Sequence, residues 1–516
     1  MTLTMDTAIT IPEFYAGRSI FITGCTGFMG KVLIEKLLRS CPDVREIFML
    51  LRPKKGMNID DRLRKMLTLP LFDKLREERP GAFDKLIPVL GDASEEGLGL
   101  PPVERNVLIS RVSVVLHVAA SVRFDDSLKS AVFMNTRSTR DVCNLATQMK
   151  QLVVLMHVST TYSQADKPEV EEKMYPCEVD WKRTIKIAEN VDERILETFT
   201  AKYMGNFPNT YTFTKRLAEQ VVSDYSEVIP TVVFRPSIVI STISDPIVGW
   251  LDNFNGPVGM MVGGGKGVLR ILYADSKTKS DYIPVDIAIK AMITACWKRG
   301  LTTITKDPSV HVYNCSAADI KNISLQELIT MALNVNEQIP LEGCLWKPST
   351  MKTDMKSVYY VLMLLLHLMP ALVVDGIFKL TGRKPMLVKL QRKVYTANSA
   401  LEYFLINEWA FKNAGLLSLL TDLLPGDAEN FGYAYADTDI YDYFKNCLIG
   451  AKKYLLREDM NNLAASKRHF NMMWWIDAAL KVWLGIVTVW LIIKFGVISK
   501  ISNHLLFIFN DAATVD

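Results

Sequence analysis

The stretch Thr23-Gly24-Cys25-Thr26-Gly27-Phe28-Met29-Gly30 sets three glycines three residues apart, directly after the apolar run SIFI and before the helix-like KVLIEKLLRS. Few features constrain a fold more. Gly24 allows a tight turn, Gly27 lets the backbone approach a pyrophosphate, and Gly30 lets a helix pack closely on a strand. The helix N-terminus then offers free N–H groups and the positive end of its dipole to the phosphates.

The surrounding sequence supplies the rest of such a fold. SIFITG, EIFMLLR, LIPVLGD, VSVVLHVAA and LVVLMHVS are short, unbroken apolar runs, the pattern of strands buried on both faces. Segments such as VFMNTRSTRDVCNLATQM lie between them, with apolar residues at helical spacing. The alternation predicts an α/β protein with a Rossmann-type doubly wound parallel sheet, extended by TVVFRPSIVI and HVYNCS. We divide the chain into a Rossmann domain with a substrate lobe over 15–355, a helical C-terminal domain over 356–465 and a membrane anchor over 470–500.

Composition narrows the setting. With 60 Lys+Arg against 56 Asp+Glu, the balance of +4 gives no case for nucleic acid as a partner. Hydrophobic residues make up 49% of the 516, which points to membrane contact. The run 358–374 is short and broken by His367 and Pro370, which favours a buried or interfacial helical hairpin over a transmembrane helix. The segment MMWWIDAALKVWLGIVTVWLIIKFGVIS has an uncharged core flanked by Lys481 and Lys494, with Trp474 and Trp475 placed as interface anchors, and reads as a membrane anchor rather than a helix packed on the body. The first residues, MTLTMDTAIT, show no signal-peptide pattern, and the eight cysteines form no C-x-x-C pair. Both suit a cytosol-facing body with reduced thiols and no metal.

Two further groups carry chemistry. The second strand runs into Leu50-Leu51-Arg52-Pro53-Lys54-Lys55, where an NAD-dependent enzyme commonly places a carboxylate for the ribose 2′-OH. Arg52, with Lys54 or Lys55, suits a 2′-phosphate, so NADPH is the preferred cofactor. In NTYTFTKRLAE, Tyr211 and Lys215 stand at i and i+4 on one helical face. An ammonium beside the phenol is expected to lower its proton affinity from the ordinary value of about 10 and so ready it for acid–base work.

The G-x-x-G-x-x-G spacing followed by Y-x-x-x-K resembles the extended short-chain dehydrogenase/reductase superfamily. TGCTGFMGKVLIEKLLRSCP, HVAASVRFDD, VVFRPSIV, DNFNGPVGMMVGGGKGVLR and DYIPVDIAIKAMI further resemble fatty acyl-CoA reductases, insect members in particular. The resemblance covers roughly residues 15–355, and 356–455 look like that family's helical domain. It implies a hydroxyl at the end of the fifth strand, Thr160 by register and Ser159 second. It also implies cofactor contacts from Thr23, Gly24, Thr26, Gly27, Phe28, Met29 and Gly30; from Arg52, Lys54 and Asp92; from Ala119, Ala120 and Ser121; and from Tyr211, Lys215, Pro236 and Ile238. His117 alone reads as a packed strand-end histidine.

The implied activity is NADPH-dependent reduction of long-chain fatty acyl-CoA to a primary alcohol through an aldehyde, at the endoplasmic reticulum membrane with the catalytic domain facing the cytosol. The terminal AATVD is not a peroxisomal S-K-L address. GGGKG (263–267) lacks P-loop spacing and is expected to be a flexible loop near substrate entry. Arg383, Lys384, Lys389, Arg392 and Lys393 suit CoA phosphates, anionic headgroups or a plain solvated face. The rival enzyme is a membrane-bound hydroxysteroid dehydrogenase-like reductase. A non-catalytic NADPH-sensing protein is the other rival, and retention of Tyr211 and Lys215 argues against it.

Overall fold

The computed structural model describes residues 9–54, 56–317 and 323–494. Lys55 and the end of the expected anchor, 495–500, lie outside the described residues. Seven strands form one sheet: β1 Ser19–Thr23, β2 Glu46–Leu51, β3 Leu86–Leu90, β4 Val112–His117, β5 Val154–Val158, β6 Thr231–Pro236 and β7 His311–Cys315. Their order is 7-6-5-4-1-2-3 and every pairing is parallel. The strand order reverses beside β1, where β1 lies between β2 and β4, and ligands bind outside the strand ends at such a switch point.

The helices used below are α1 Phe28–Ser40, α2 Ile59–Leu67, α3 Leu128–Ala146, α4 Thr210–Tyr225, α5 Gly256–Gly265 and α6 Val285–Gly300. They continue with α7 Leu325–Gln338, α8 Lys356–Leu380, α9 Leu387–Ile406, α10 Ile440–Gly450 and α11 Leu463–Lys494. The unbroken strand runs are explained by burial on both sides. Ile20, Ile22, Ile47 and Val114 pack against Leu33, Leu37 and Met292 of α1 and α6. Phe21, Phe48 and Val115 face the opposite way, against Val142 of α3 and Leu217 and Val221 of α4.

TVVFRPSIVI is not one strand. The chain leaves the sheet at Ser237, and Ile238–Ile240 pairs instead with Tyr282–Pro284 in a separate parallel pair. The bend carries the chain from the strand end towards α5. GGGKG is not a flexible loop either. Gly263 to Gly265 end α5, and Lys266 is bound by Glu458 at 2.5 Å, with Glu458 also accepting from Lys452 at 2.8 Å. Opposite charges from distant segments hold this turn.

The helical C-terminal region interlocks with the sheet domain. Ala410–Phe411 pairs with Glu169–Val170, Asn314 donates to the Lys412 carbonyl at 2.7 Å, and Tyr443 donates to the Ser241 carbonyl at 2.7 Å. The tightest join is glycine on glycine. Gly249, at φ +75°, meets the backbone of Asn446, and a side chain at Gly450 would collide with the Gly249 carbonyl. Gly450→Ala should destabilise the protein by about 1–3 kcal/mol, the usual range for overpacking. This would appear as an earlier thermal melt. Gly426→Ala, with open space around it, serves as the control and should leave the melt unchanged.

Candidate active site

At the carboxyl end of β1 the chain enters the glycine turn. Gly24 has φ +74°, and a Cβ there would lie 2.6 Å from the Ala119 nitrogen after β4. Gly24 therefore serves the close approach of two strand ends as well as the turn. A Cβ on Gly30 would strike the Gly24 carbonyl and come within 2.8 Å of the Cys25 Cα, so α1 can sit this close only with glycine. Gly27 differs: only the Gly24 carbonyl, at 3.1 Å, lies near its missing Cβ. Gly27 also caps α1 without a side-chain hydrogen bond, which leaves first-turn N–H groups free. That arrangement fits a dinucleotide pyrophosphate.

The flanking residues divide into direct and supporting ones. Thr23 is fully buried; its hydroxyl is hydrogen-bonded to His117 Nδ1 at 2.7 Å and accepts from the Ala119 N–H at 3.2 Å. It therefore ties β1 to β4, and its side chain has no free face for a cofactor. His117 reaches Thr139 through Nε2 at 3.1 Å, and burial pushes its imidazole down to about 3. It is a neutral packed histidine. Phe28 stacks on Trp250 with centroids 5.5 Å apart, and Met29 packs against the core, so both offer backbone rather than side chain to a ligand. Ala119 is buried beside Gly24; Ser121 donates its N–H to Asn135 Oδ1 at 2.9 Å. Asn135 lies in a π-helical turn of α3 and also donates to Thr214 of α4 at 2.9 Å, which joins the 119–121 loop to the Tyr/Lys helix.

After β2, Arg52 is 59% exposed and pairs with Asp92 at 3.2 Å. Lys54 is exposed on a short bridge to Met57. Sequence reasoning missed Arg62 of α2, which donates to the Thr26 hydroxyl at 3.2 Å and to the Arg52 carbonyl. It places a second guanidinium between the glycine turn and the basic strand end. Nothing in local spacing marks it, because the intervening loop decides where α2 lands.

The second half of the site stands on α4. Tyr211, Lys215 and Glu219 recur at four-residue spacing on one face, and Asn209 caps the helix by accepting from Thr212 N–H at 2.9 Å. Lys215 is buried and donates to the Val158 carbonyl at the end of β5, 2.6 Å away. Burial lowers its ammonium to about 7, with Glu219 acting in the opposite direction. Tyr211 stands above its ordinary value, at about 12, because burial outweighs the hydrogen bond with Thr160. The expected lowering by Lys215 does not occur in this state, since that ammonium is turned to a carbonyl and itself holds its proton loosely.

The structure separates the two candidate hydroxyls. Thr160 is the one that meets Tyr211. Ser159 turns the other way and donates to Glu219 at 2.6 Å. Glu219 also accepts from Ser163 at 2.7 Å, Gln164 at 3.0 Å, and Arg235 at 2.9 and 2.7 Å. Arg235 and Glu219 are both fully buried, and although burial raises the Glu219 carboxyl, Arg235 and the hydroxyls bring it below its ordinary range. This network pins β6, the loop after β5 and α4 together.

Pro236 closes β6, and Ile238 lies just beyond it, against Gly256 of α5 and an aromatic cluster. Phe124 stacks on Tyr211 at 6.0 Å and meets Phe404 of α9 at 5.3 Å; Phe404 in turn abuts Tyr162 at 5.3 Å. The helical region thus supplies a wall of the Tyr211 pocket. Phe404 had no signal in the sequence, being nearly two hundred positions from Tyr211. Among the described residues no cluster of His, Cys, Asp and Glu could hold a metal ion.

Comparison with known proteins agrees with this layout. A family profile described as male sterility protein, an NAD-binding domain, matches residues 22–292, and a second with the same description matches 366–458. Fatty acyl-CoA reductase 1 of Xenopus laevis is 36% identical over 465 residues, covering 90% of each chain. The chain belongs to the fatty acyl-CoA reductase family. Human fatty acyl-CoA reductases 1 and 2 are 35% and 34% identical, again over 90% of both chains. Among solved structures, the terminal R domain of the myxalamid biosynthetic pathway aligns with a TM-score of 0.55 at 18% identity, covering 86% of this chain and 93% of its own. A reductase domain of a nonribosomal peptide synthetase from Mycobacterium tuberculosis gives 0.54 at 18%, covering 87% and 96%. These two share the fold. As a reductase-family member the chain uses a nicotinamide cofactor, and the site predicts how it selects one. A charge-assisted hydrogen bond contributes about 1.5–3 kcal/mol, or about 10–150-fold in affinity. Arg62→Ala should raise the KM for NADPH within that range and leave the KM for NADH little changed; equal losses for both would exclude a 2′-phosphate role.

Proposed function

We propose that this reductase converts long-chain fatty acyl-CoA to a primary alcohol through an aldehyde, releasing CoA. The observation that carries the reading is the cluster of half-buried Tyr211 with buried Thr160 and Lys215 beside the glycine turn, in a chain about a third identical over nearly its whole length to fatty acyl-CoA reductases. Gly24, Gly27, Gly30, Arg52 and Arg62 would hold NADPH, with the 119–121 loop and the Pro236 strand end along its length. When bound, NADPH supplies the hydride for each of two reductions.

The chain's own groups handle the oxygen and the proton. A phenol near 12 keeps its proton at neutral pH, so Tyr211 Oη acts as a donor. With the Thr160 hydroxyl it would hold the negative charge that develops on the thioester oxygen, and such preorganised donors are a large part of carbonyl-addition catalysis. Collapse of that tetrahedral carbon expels the CoA thiolate, which takes up a proton, and leaves the aldehyde. At the second reduction Tyr211 would give its proton to the alkoxide, and Lys215, one helical turn on and lowered to about 7, would supply the replacement once its ammonium turns from the Val158 carbonyl. Phe124 stacks on the Tyr211 ring, and Phe404 backs Phe124 from the helical region. A small apolar cavity lined by Met260, Met261, Leu269, Leu272 and Leu328 lies on α5, the helix that begins against Ile238.

The division into sheet domain with lobe, helical domain and anchor remains our reading of the chain. We place it at the endoplasmic reticulum membrane with the catalytic domain in the cytosol. The described chain holds two helices long and apolar enough to cross a membrane, and all eight cysteines are free thiols.

Purified protein with NADPH and palmitoyl-CoA should yield fatty alcohol. Tyr211→Phe should reduce turnover by at least about 100-fold, the usual scale for losing a general acid. Substantial NADPH oxidation by that variant would remove Tyr211 from the mechanism. Turnover should also fall on the alkaline side with an apparent pKa nearer 7 than the ordinary lysine value of 10.5, because deprotonation of Lys215 removes the proton that restores Tyr211. A rate that stays level through that range would show that Lys215 does not supply it.

A further inference from the structure

Composition does not distinguish the two long apolar helices. Their mean hydropathies are 2.2 for α8 and 2.0 for the stretch containing α11. Their packing does. Along α8 the residues Tyr359, His367, Ala371 and Asp375 are buried, recurring at four-residue steps or multiples of four. His367 accepts from the Arg270 N–H at 3.1 Å and bonds Gln391 at 2.8 Å. Asp375 accepts from the N–H groups of Met386, Leu387 and Val388 at 2.8–2.9 Å and so caps α9. The helix is therefore laid against the protein for most of its length. Its other face, including Val361, Leu364, Leu368, Leu372, Ile377 and Leu380, is exposed, with Leu380 at 89%. A soluble surface rarely leaves so long an apolar row uncovered.

α11 behaves differently. It is fastened at its near end, where Trp346 donates to Asp477 at 2.7 Å and His469 bonds the Cys344 carbonyl at 2.9 Å. Beyond Asp477 no residue to Lys494 is buried. That stretch runs about 25 Å at 1.5 Å per residue. It leaves the body just past the exposed Trp474 and Trp475.

We propose that α8 is an in-plane membrane helix, its outer face sunk in the lipid surface, while α11 alone departs into the bilayer. A helix bound to the body along one face cannot cross a bilayer without burying the polar domain to which it is tied. The partner is an anionic lipid surface. Arg383 and Lys384 follow the end of α8, and Lys389, Arg392 and Lys393 stand on the first turns of α9; all five are exposed, and among the described residues none makes an ion pair. Apolar residues bordered by unpaired cations are the signature of a helix lying among anionic headgroups. Arg270 joins the two elements: its N–H reaches His367 of α8, and its guanidinium lies 5.1 Å over the ring of Trp346, which holds α11. Leu269 and Leu272 beside it line the apolar cavity, so α8 sets that cavity close to the lipid surface.

The test uses full-length protein in vesicles of phosphatidylcholine with about a third phosphatidylserine. Seven of the eight cysteines are buried, so a Cys177→Ser background accepts an environment-sensitive fluorophore at Val361→Cys, Leu368→Cys, Leu372→Cys or Ile377→Cys. All four positions should be quenched, and more by nitroxide lipids labelled near the glycerol than near the chain end. Quenching that deepens towards the middle of α8 would mean that it spans, and no quenching at any position would mean that protein or water covers it; either overturns the proposal. Lys389→Glu with Arg392→Glu should cut quenching at Ile377→Cys about twofold or more on these vesicles and leave it unchanged on pure phosphatidylcholine. Equal quenching with and without the reversal would overturn the headgroup contact. Failure here would leave the reductase reading intact, because α8 contributes none of the residues named around Tyr211.

Discussion

The buried pair of Arg235 and Glu219 is the contact on which the site depends. Two charges without solvent exposure persist only when paired and hydrogen-bonded, and this pair gathers Ser159, Ser163 and Gln164 around it. Its geometric consequence exceeds its strength. Arg235 belongs to β6, Ser159 follows β5, and Glu219 lies on α4, so one network fixes three elements at the sheet's carboxyl edge. Thr160, next to Ser159, and Tyr211, two helical turns before Glu219, are placed opposite each other as a result.

Burial explains the electrostatics of the candidate catalytic groups. Burial moves the phenol up and the ammonium down, bringing Tyr211 to about 12 and Lys215 to about 7. The phenol remains a proton donor at neutral pH, and the lysine is the group whose charge changes there. On an exposed helix the phenol would still hold its proton, but the lysine, near its ordinary value of about 10.4, would keep a fixed charge at neutral pH. Phe404 backs Phe124, which stacks on Tyr211, so the helical region reaches the candidate site.

The proposed membrane face and the apolar cavity on α5 meet at Arg270. Its backbone reaches α8, its side chain covers the tryptophan that holds α11, and its neighbours line the apolar cavity on α5. A substrate and product that partition into lipid would then enter beside the bilayer surface.

The sequence by itself determined the seven strand runs, the glycine turn, the basic strand end and the shared face of Tyr211 and Lys215. Each is set by neighbouring residues, through strand burial, helical period or the space a glycine leaves. Only the tertiary structure decided that Thr160 rather than Ser159 meets the tyrosine, that Arg62 joins Arg52, and that Phe404 walls the pocket. It also split TVVFRPSIVI at Ser237, pinned GGGKG through Lys266, and made 358–374 part of one continuous helix rather than a hairpin. These outcomes depend on which residues, hundreds of positions away, cover a given face. The two apolar helices are the plainest case: hydropathy rates them nearly alike, and only the row of residues buried against the body separates them.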